Sequence, residues 1–326
     1  MLVFSIAVLI GLFLLIWSSD KFVDGASSIA QNLGVSPLIV GMLIVGLGTS
    51  APEMLVSGAA ALQGNSGLGL GNAIGSNIAN ITLVLGVTAI FFVLPVDSRL
   101  LKKELPLVLA SAVLAWVLMI DNYFSFSDAI ILLIALTLVL SWMIVNAKKE
   151  ALRHDPLIAD SIEELPEKLP LNHSVIWTVI GLVVLLVSAK TLVWGASGIA
   201  SAMGVSDLVI GLTIVAIGTS LPELAATISS ARKGEHDLAV GNIVGSNLFN
   251  TMAVLAIPGL INPISVPEGL LDRDLPIMLG LTVLLLVFSY GCFSNSRYKI
   301  THFKGYVLFG LFLAYEGLIY YQTVAN

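Results

Sequence analysis

Glu53 and Glu223 end two copies of one line, GTSAPE at 48–53 and GTSLPE at 218–223. A second line, GNAIGSN at 71–77, returns as GNIVGSN at 241–247, at the same spacing of 170 residues. Carboxylates, hydroxyls and amide oxygens gathered in short stretches are the donors that hard cations select. Zinc or copper would recruit imidazole or thiolate instead. The four histidines, His154, His173, His236 and His302, fall in expected loops or at helix ends, where they are read as solvated. The single cysteine, Cys292, lies in an apolar run and excludes a disulfide framework. Two ionised glutamates carry a charge of about −2, which one Ca²⁺ neutralises and several Na⁺ can share.

These donors stand in a chain that is 57% hydrophobic and only 11% charged. Soluble domains carry about a quarter charged residues, so the chain belongs in a bilayer, where an ionisable group marks a candidate functional site. The net charge of −6 reflects loop composition and points to no nucleic-acid partner. No histidine falls in an apolar segment to activate a serine, so the chain is not read as an enzyme, and nothing calls for a cofactor.

Ten apolar segments are long enough to cross a membrane, near 3–31, 36–62, 68–94, 104–120 and 124–146, then 174–202, 207–231, 238–261, 275–292 and 305–321. The first lacks a basic leader and a cleavage site, so it is kept as a helix rather than a signal peptide. The expected organisation is a five-helix repeat over 1–146, a cytoplasmic linker over 147–173 and a second repeat over 174–326. The linker's acidic residues, Glu163, Glu164 and Glu167, read as a solvated surface.

Loops after the odd-numbered segments hold twelve basic residues, and loops after the even-numbered ones hold only Arg273. That asymmetry places the odd loops in the cytoplasm and both termini on the extracytoplasmic side of the cell (inner) membrane. Residues 33–80 and 203–250 agree without gaps at 21 of 48 positions, so the chain is a duplicated unit. Five helices separate equivalent points, and five is odd, so the second copy enters from the opposite face. The fold expected is an all-α polytopic membrane protein of ten transmembrane helices in two inverted-topology repeats, with the second, third, seventh and eighth helices broken. Secondary transporters use this plan, with the binding site near the midplane.

Pro52 and Pro222 lack an amide hydrogen and clash with the carbonyl four residues back. They therefore loosen the carbonyls of Gly48 and Gly218, and with them those of Thr49 and Thr219. Asn72, Ser76 and Asn80 recur at steps of four, as do Asn242, Ser246 and Asn250, which lays a polar stripe along each helix. For Asn72 and Asn242, interhelical bonding and ion ligation both stand; for the serines, Asn80 and Asn250, ligation is favoured. Gly71, Gly75, Gly241 and Gly245 permit close helix approach. Asp20, Lys21 and Asp24, charged residues late in the first helix, are expected to pair among themselves or snorkel, and Lys190 likewise.

At these lines the chain resembles the short prokaryotic members of the sodium/calcium exchanger family, within the calcium:cation antiporter superfamily. The resemblance spans all ten segments. It implies that Glu53 and Glu223, with the carbonyls of Thr49 and Thr219, hold Ca²⁺. Sodium would use the same glutamates with Ser50, Ser220, Ser76, Ser246 and the carbonyls of Gly46 and Ala216, and Asn80 and Asn250 would complete the centre. It further implies an antiporter that exchanges Na⁺ for Ca²⁺ by alternating access, with the first and sixth helices sliding. Its partners would be the two ions and the lipid bilayer, and no obligate protein partner is evident. Family members with aspartate at position 250 have a third carboxylate; Asn80 and Asn250 here are neutral, which argues against a potassium requirement. A proton-coupled calcium/cation antiporter is the alternative, disfavoured because residues 73–77 and 243–247 hold no glutamate. A cation channel has no use for the inverted duplication.

Overall fold

A computed structural model describes residues 1–96, 100–152, 169–204, 214, 216–290 and 298–325. Cys292, His154, Glu163, Glu164 and Glu167 lie outside them, as does most of the first half of the expected seventh segment. The described residues are helical throughout, apart from short turns and two-residue strands. In order the helices are α1 (Leu2–Leu33), α2 (Pro37–Leu62), α3 (Ser66–Phe91), α4 (Leu105–Leu118), α5 (Phe126–Leu152) and α6 (Leu171–Ala202). The remaining ones are α7 (Ala216–Thr219), α8 (Leu221–Arg232), α9 (His236–Ile261), α10 (Leu275–Tyr290) and α11 (His302–Ala325). Seven of these, α1, α2, α3, α5, α6, α9 and α11, are long and apolar enough to cross a membrane.

Local structure repeats with the sequence. Gly34 (φ 60) ends α1 and Gly204 (φ 86) comes just after α6, positions that favour glycine because a Cβ is strained there. Single π-turns open at Asn80 and Asn250 and again at Leu100 and Leu270, all at the spacing of the repeat. Such turns insert one residue into the ladder and rotate the next stretch of helix, a feature common at functional sites.

α1 and α6 are each 32 residues long, about 48 Å at 1.5 Å per residue. That exceeds the ~30 Å hydrocarbon thickness, so the pair must tilt. They run antiparallel in close contact, Gly11 meeting Leu192 at one end and Gly25 meeting Thr178 at the other. A Cβ on Gly25 would lie 2.5 Å from the Thr178 nitrogen, so only glycine allows this approach. α3 and α9 form the interior: their membrane-crossing windows are 72% and 83% buried, against 28% for α1 and α6. The large core cluster joins α3 and α9 to α4, α5 and α10, while α1, α5, α6 and α11 turn Leu9, Phe13, Leu138, Val183 and Tyr321 outward.

Two ribbons tie the halves together. β1 (Leu94–Pro95) pairs antiparallel with β4 (Lys299–Ile300), and β2 (Tyr123–Phe124) pairs antiparallel with β3 (Ile264–Ser265). Loops after α3 and α10 therefore share one end of the molecule, and loops after α4 and α9 share another.

Several expectations change. α5 continues to Leu152 and α6 starts at Leu171, so helix occupies both ends of the linker assigned to 147–173. Lys21 does approach Asp24, at 3.8 Å, but the stronger pairs are distant in sequence: Arg232 binds Asp20 and Lys233 binds Asp24. His302 is not simply solvated, because its ring nitrogen lies 3.0 Å from the Ala89 carbonyl. Gly241 allows a close helix approach, where a Cβ would sit 2.6 Å from the Leu38 carbonyl. Nothing among the described residues meets Gly71 or Gly75.

Candidate functional site

Glu53 and Glu223 sit in the first turns of two half-helices. α2 is interrupted at Ser50 (φ −79, ψ 1), and α7 ends at Thr219, with Ser220 (φ −89, ψ 4) leading into α8. Pro52 and Pro222 then take the second helical position, where the missing amide hydrogen has no helical partner to lose. Each glutamate comes next, at the positive end of a helix dipole that favours negative charge. One short line thus breaks the helix, starts a new one and puts a carboxylate at its N-terminus.

Both glutamates are buried, Glu53 at 0% and Glu223 at 1% exposure. Each faces a hydroxyl from the rest of the cluster: Ser76 lies beside Glu53 and Thr49 beside Glu223, and the two carboxylates act electrostatically on each other. Neither carboxylate reaches hydrogen-bonding geometry with any protein group. The same holds for the Ser50 and Ser220 hydroxyls, the amide oxygens of Asn77 and Asn80, and both polar atoms of the Asn250 side chain. Leaving a buried neutral polar atom unpaired costs about 1–3 kcal/mol, and a charged one more. Such a concentration of free oxygen lone pairs fits a group of cation ligands.

Around this centre the remaining polar groups brace one another. The Thr49 hydroxyl donates to Asn242 Oδ1 at 3.1 Å and lies 3.2 Å from Ser246 Oγ, which donates to the Gly46 carbonyl at 3.3 Å. Asn72 donates to the Glu53 carbonyl and to Ser57, and Asn242 donates to the Glu223 carbonyl and to Thr227. For Asn72 and Asn242 these bonds select the interhelical reading: each amide clamps the backbone of a half-helix that carries a glutamate. Thr219, with Gly218, Pro52 and Pro222, lines a largely apolar cavity of about 390 Å³ that also meets Leu55, Val56 and Lys190. Ala216 contributes backbone at the start of α7.

Sequence reasoning missed Asn77 and Asn247. Asn80 donates to Asn247 Oδ1 at 3.1 Å, and Asn77 donates to Thr251 at 2.7 Å while its own oxygen stays unpaired. Stepping by four from Asn72 passes over position 77, but both residues lie inside the repeated GSN triplet. That identity between the copies was the available signal. Among the described residues no three histidine, cysteine or acidic side chains are grouped to hold a metal ion, so the donors beyond the two glutamates are neutral.

A family model described as sodium/calcium exchanger protein matches residues 4–146 and 173–321. The chain is 45% identical to the putative antiporter CaxA of Alkalimonas amylolytica over 98% of its own length and 99% of the relative's. It is 32% identical to the sodium/calcium exchanger MaX1 of Methanosarcina acetivorans, over 96% and 97% of the two chains. A solved structure of the sodium-calcium exchanger NCX_Mj superimposes with a TM-score of 0.82 at 32% identity, covering 96% of this chain and 98% of the other. Two buried glutamates on paired half-helices and a family match to both halves lead to one assignment: the chain belongs to the sodium/calcium exchanger family of membrane antiporters.

Proposed function

We propose that the protein exchanges Na⁺ for Ca²⁺ across the cell membrane by alternating access to one shared midplane site. The observation that carries this reading is the pair of buried, unpartnered carboxylates, Glu53 and Glu223, among free oxygens of Ser50, Ser220, Asn80 and Asn250. One Ca²⁺ would be held by both glutamates with the carbonyls of Thr49 and Thr219. Several Na⁺ would share the glutamates with Ser50, Ser220, Ser76, Ser246 and the carbonyls of Gly46 and Ala216. Because the two ions draw on one ligand set, the site is full of one or the other, and that competition couples their flows.

The reading includes ten transmembrane helices in two inverted repeats of five, with both termini on the extracytoplasmic side. It is supported by the antiparallel contact of α1 with α6, equivalent helices of the two copies, and by ribbons that sort the loops onto separate ends. On this orientation the 390 Å³ cavity, lined by Thr219, Leu55, Val56 and Val193, lies toward the extracytoplasmic half. No third carboxylate supports a potassium requirement.

The test is radiocalcium uptake into sealed proteoliposomes loaded with sodium and diluted into sodium-free medium. Uptake driven by the outward sodium gradient, and absent with choline inside, is the expected outcome. Uptake that ignores sodium and tracks an imposed pH gradient would replace this reading with proton-coupled antiport. Uptake that needs no counter-ion would indicate a channel.

A further inference from the structure

Away from the ion site, charge gathers where α1 meets the turn between α8 and α9. Asp20 accepts from Arg232 and from the Ser229 hydroxyl, and Asp24 accepts from Lys233, whose amine also donates to the Asp20 carbonyl at 2.8 Å. Lys21 lies 5.4 Å over the Trp177 ring of α6. Beside these pairs is a cavity of about 240 Å³ lined by Lys21, Asp24, Ser27, Ser28, Trp177 and Glu235, among others. Glu235 is the exception in this corner. It is only 3% exposed, and its carboxylate oxygens make no close hydrogen bond; the Ser27 hydroxyl is the polar group that faces them. An ionised carboxylate is costly in that state, and a protonated one is far less so.

We propose that Glu235 is a proton-binding site that controls closure of the cytoplasmic end. When it is protonated, α1 seats against the α8–α9 turn; when it is ionised, the carboxylate draws in water and the seat loosens. The proposal rests on the antiporter reading for its consequence and on the proposed orientation for which face this is: acid on the cytoplasmic side holds that end shut and slows turnover.

Glu235 lies in the turn, outside the spans. Burial pushes its carboxyl up from 4.5 to about 7; the Ser27 hydroxyl and the Lys233 ammonium pull it down, and Asp24 pushes it up. A raised carboxyl favours the seated form fully below about pH 4.5, and the gain is lost as pH rises through about 7. The charged and titratable groups in this corner are Lys21 and Asp24 on α1, which line the same cavity, Asp20 on α1 with its partner Arg232 on α8, Lys233 next to the turn, and His236 and Asp237 at the start of α9. The acids on α1 are held by Arg232 and Lys233, and His236 and Asp237 have partners of their own.

The test places a reporter in the cavity. Ser28 is buried, and its hydroxyl accepts from the Leu169 amide at 3.3 Å. Ser28→Cys, in full-length protein with Cys292→Ser, is labelled from the cytoplasmic face with an impermeant maleimide in choline medium, so no transport is needed. Between pH 6 and pH 8 the labelling rate should rise about tenfold more with Glu235 present than with Glu235→Gln. The Gln variant should label slowly at both pH values, apart from the reporter thiol's own ionisation. Asp24→Asn should move the midpoint to lower pH and Lys233→Gln should move it to higher pH, and these shifts decide the matter if Glu235→Gln fails to fold. Equal pH responses with and without the carboxylate, or shifts in the wrong directions, would overturn the proposal. Failure of sodium-driven uptake would leave these labelling outcomes untouched.

Discussion

In the first copy, Gly64 turns the chain at φ 80 between α2 and α3; in the second, Gly234 does so at φ 81 between α8 and α9. The backbones match, but the side chains do not. Residues 62–66 of the first copy are Leu62, Gln63, Gly64, Asn65 and Ser66, while residues 232–236 of the second are Arg232, Lys233, Gly234, Glu235 and His236. Asn65 is an ordinary helix cap that accepts from the Leu68 amide at 3.4 Å. Its counterpart Glu235 caps nothing and lies buried. Near the centre the copies keep the same residues, Thr49 with Thr219, Glu53 with Glu223, Ser76 with Ser246 and Asn80 with Asn250. Under the proposed alternating access, a site that serves both membrane faces gains from symmetry. A corner at one face is free to acquire a charge network of its own, as Asp20, Asp24, Arg232 and Lys233 have done.

The largest effect should come from breaking the central symmetry. Glu53→Gln and Glu223→Gln keep side-chain volume and remove one charge each, so both should reduce sodium-driven calcium uptake to background while the protein remains folded. The two losses should be equal, because the carboxylates are equally buried and unpartnered. If either variant carried calcium at the normal rate, a site shared by both glutamates would be wrong.

The duplication explains what could be read from the chain. Each candidate ligand in one GTSxPE line is echoed by its twin 170 residues on, and Pro52 and Pro222 mark the breaks through a covalent property of proline. The π-turns at Asn80 and Asn250 leave no such mark. Helical stepping found Asn72, Ser76 and Asn80 but passed over Asn77, and likewise Asn247, because each lies five residues from the stripe's first asparagine and so on another face of the regular helix that precedes the π-turn. The pairing of Asp20 with Arg232 was also illegible, because it joins residues 212 apart through the seating of α1 on α8. Sequence neighbours suggested instead that Asp20, Lys21 and Asp24 would satisfy one another. Glu235 looked like any acidic residue in a turn, since only packing shows that it is enclosed.

A smaller effect should separate two residues that the sequence makes equivalent. Asn72 and Asn242 each clamp a half-helix, and among the described bonds Asn242 also accepts from Thr49 of the opposite copy. Asn242→Ala loses three bonds and frees Thr49 next to Glu223, the Glu223 carbonyl and Thr227, whereas Asn72→Ala loses two and frees the Glu53 carbonyl and Ser57. With about 1 kcal/mol per bond lost, calcium affinity should fall by up to about a hundredfold for Asn242→Ala and about two-thirds as far on a logarithmic scale for Asn72→Ala. Equal losses would show that the Thr49 link carries no weight at the site.

The smallest effect concerns the corner itself. The Arg232 side chain is 53% exposed and that of Asp20 is 27% exposed, so solvent screens their attraction and the pair contributes at most about 1 kcal/mol. Asp20→Asn should therefore raise cytoplasmic labelling of the Ser28→Cys reporter by about twofold to fivefold at fixed pH. Gln63→Ala, at the position that corresponds to Lys233, removes a neutral side chain and should leave labelling unchanged. The ratio between the two variants reports how far the charge network biases one face over the other. If Asp20→Asn also left labelling unchanged, the ion pair would be a passive contact, and closure at this end would depend on the packing of α1 against α6 and on the protonation of Glu235.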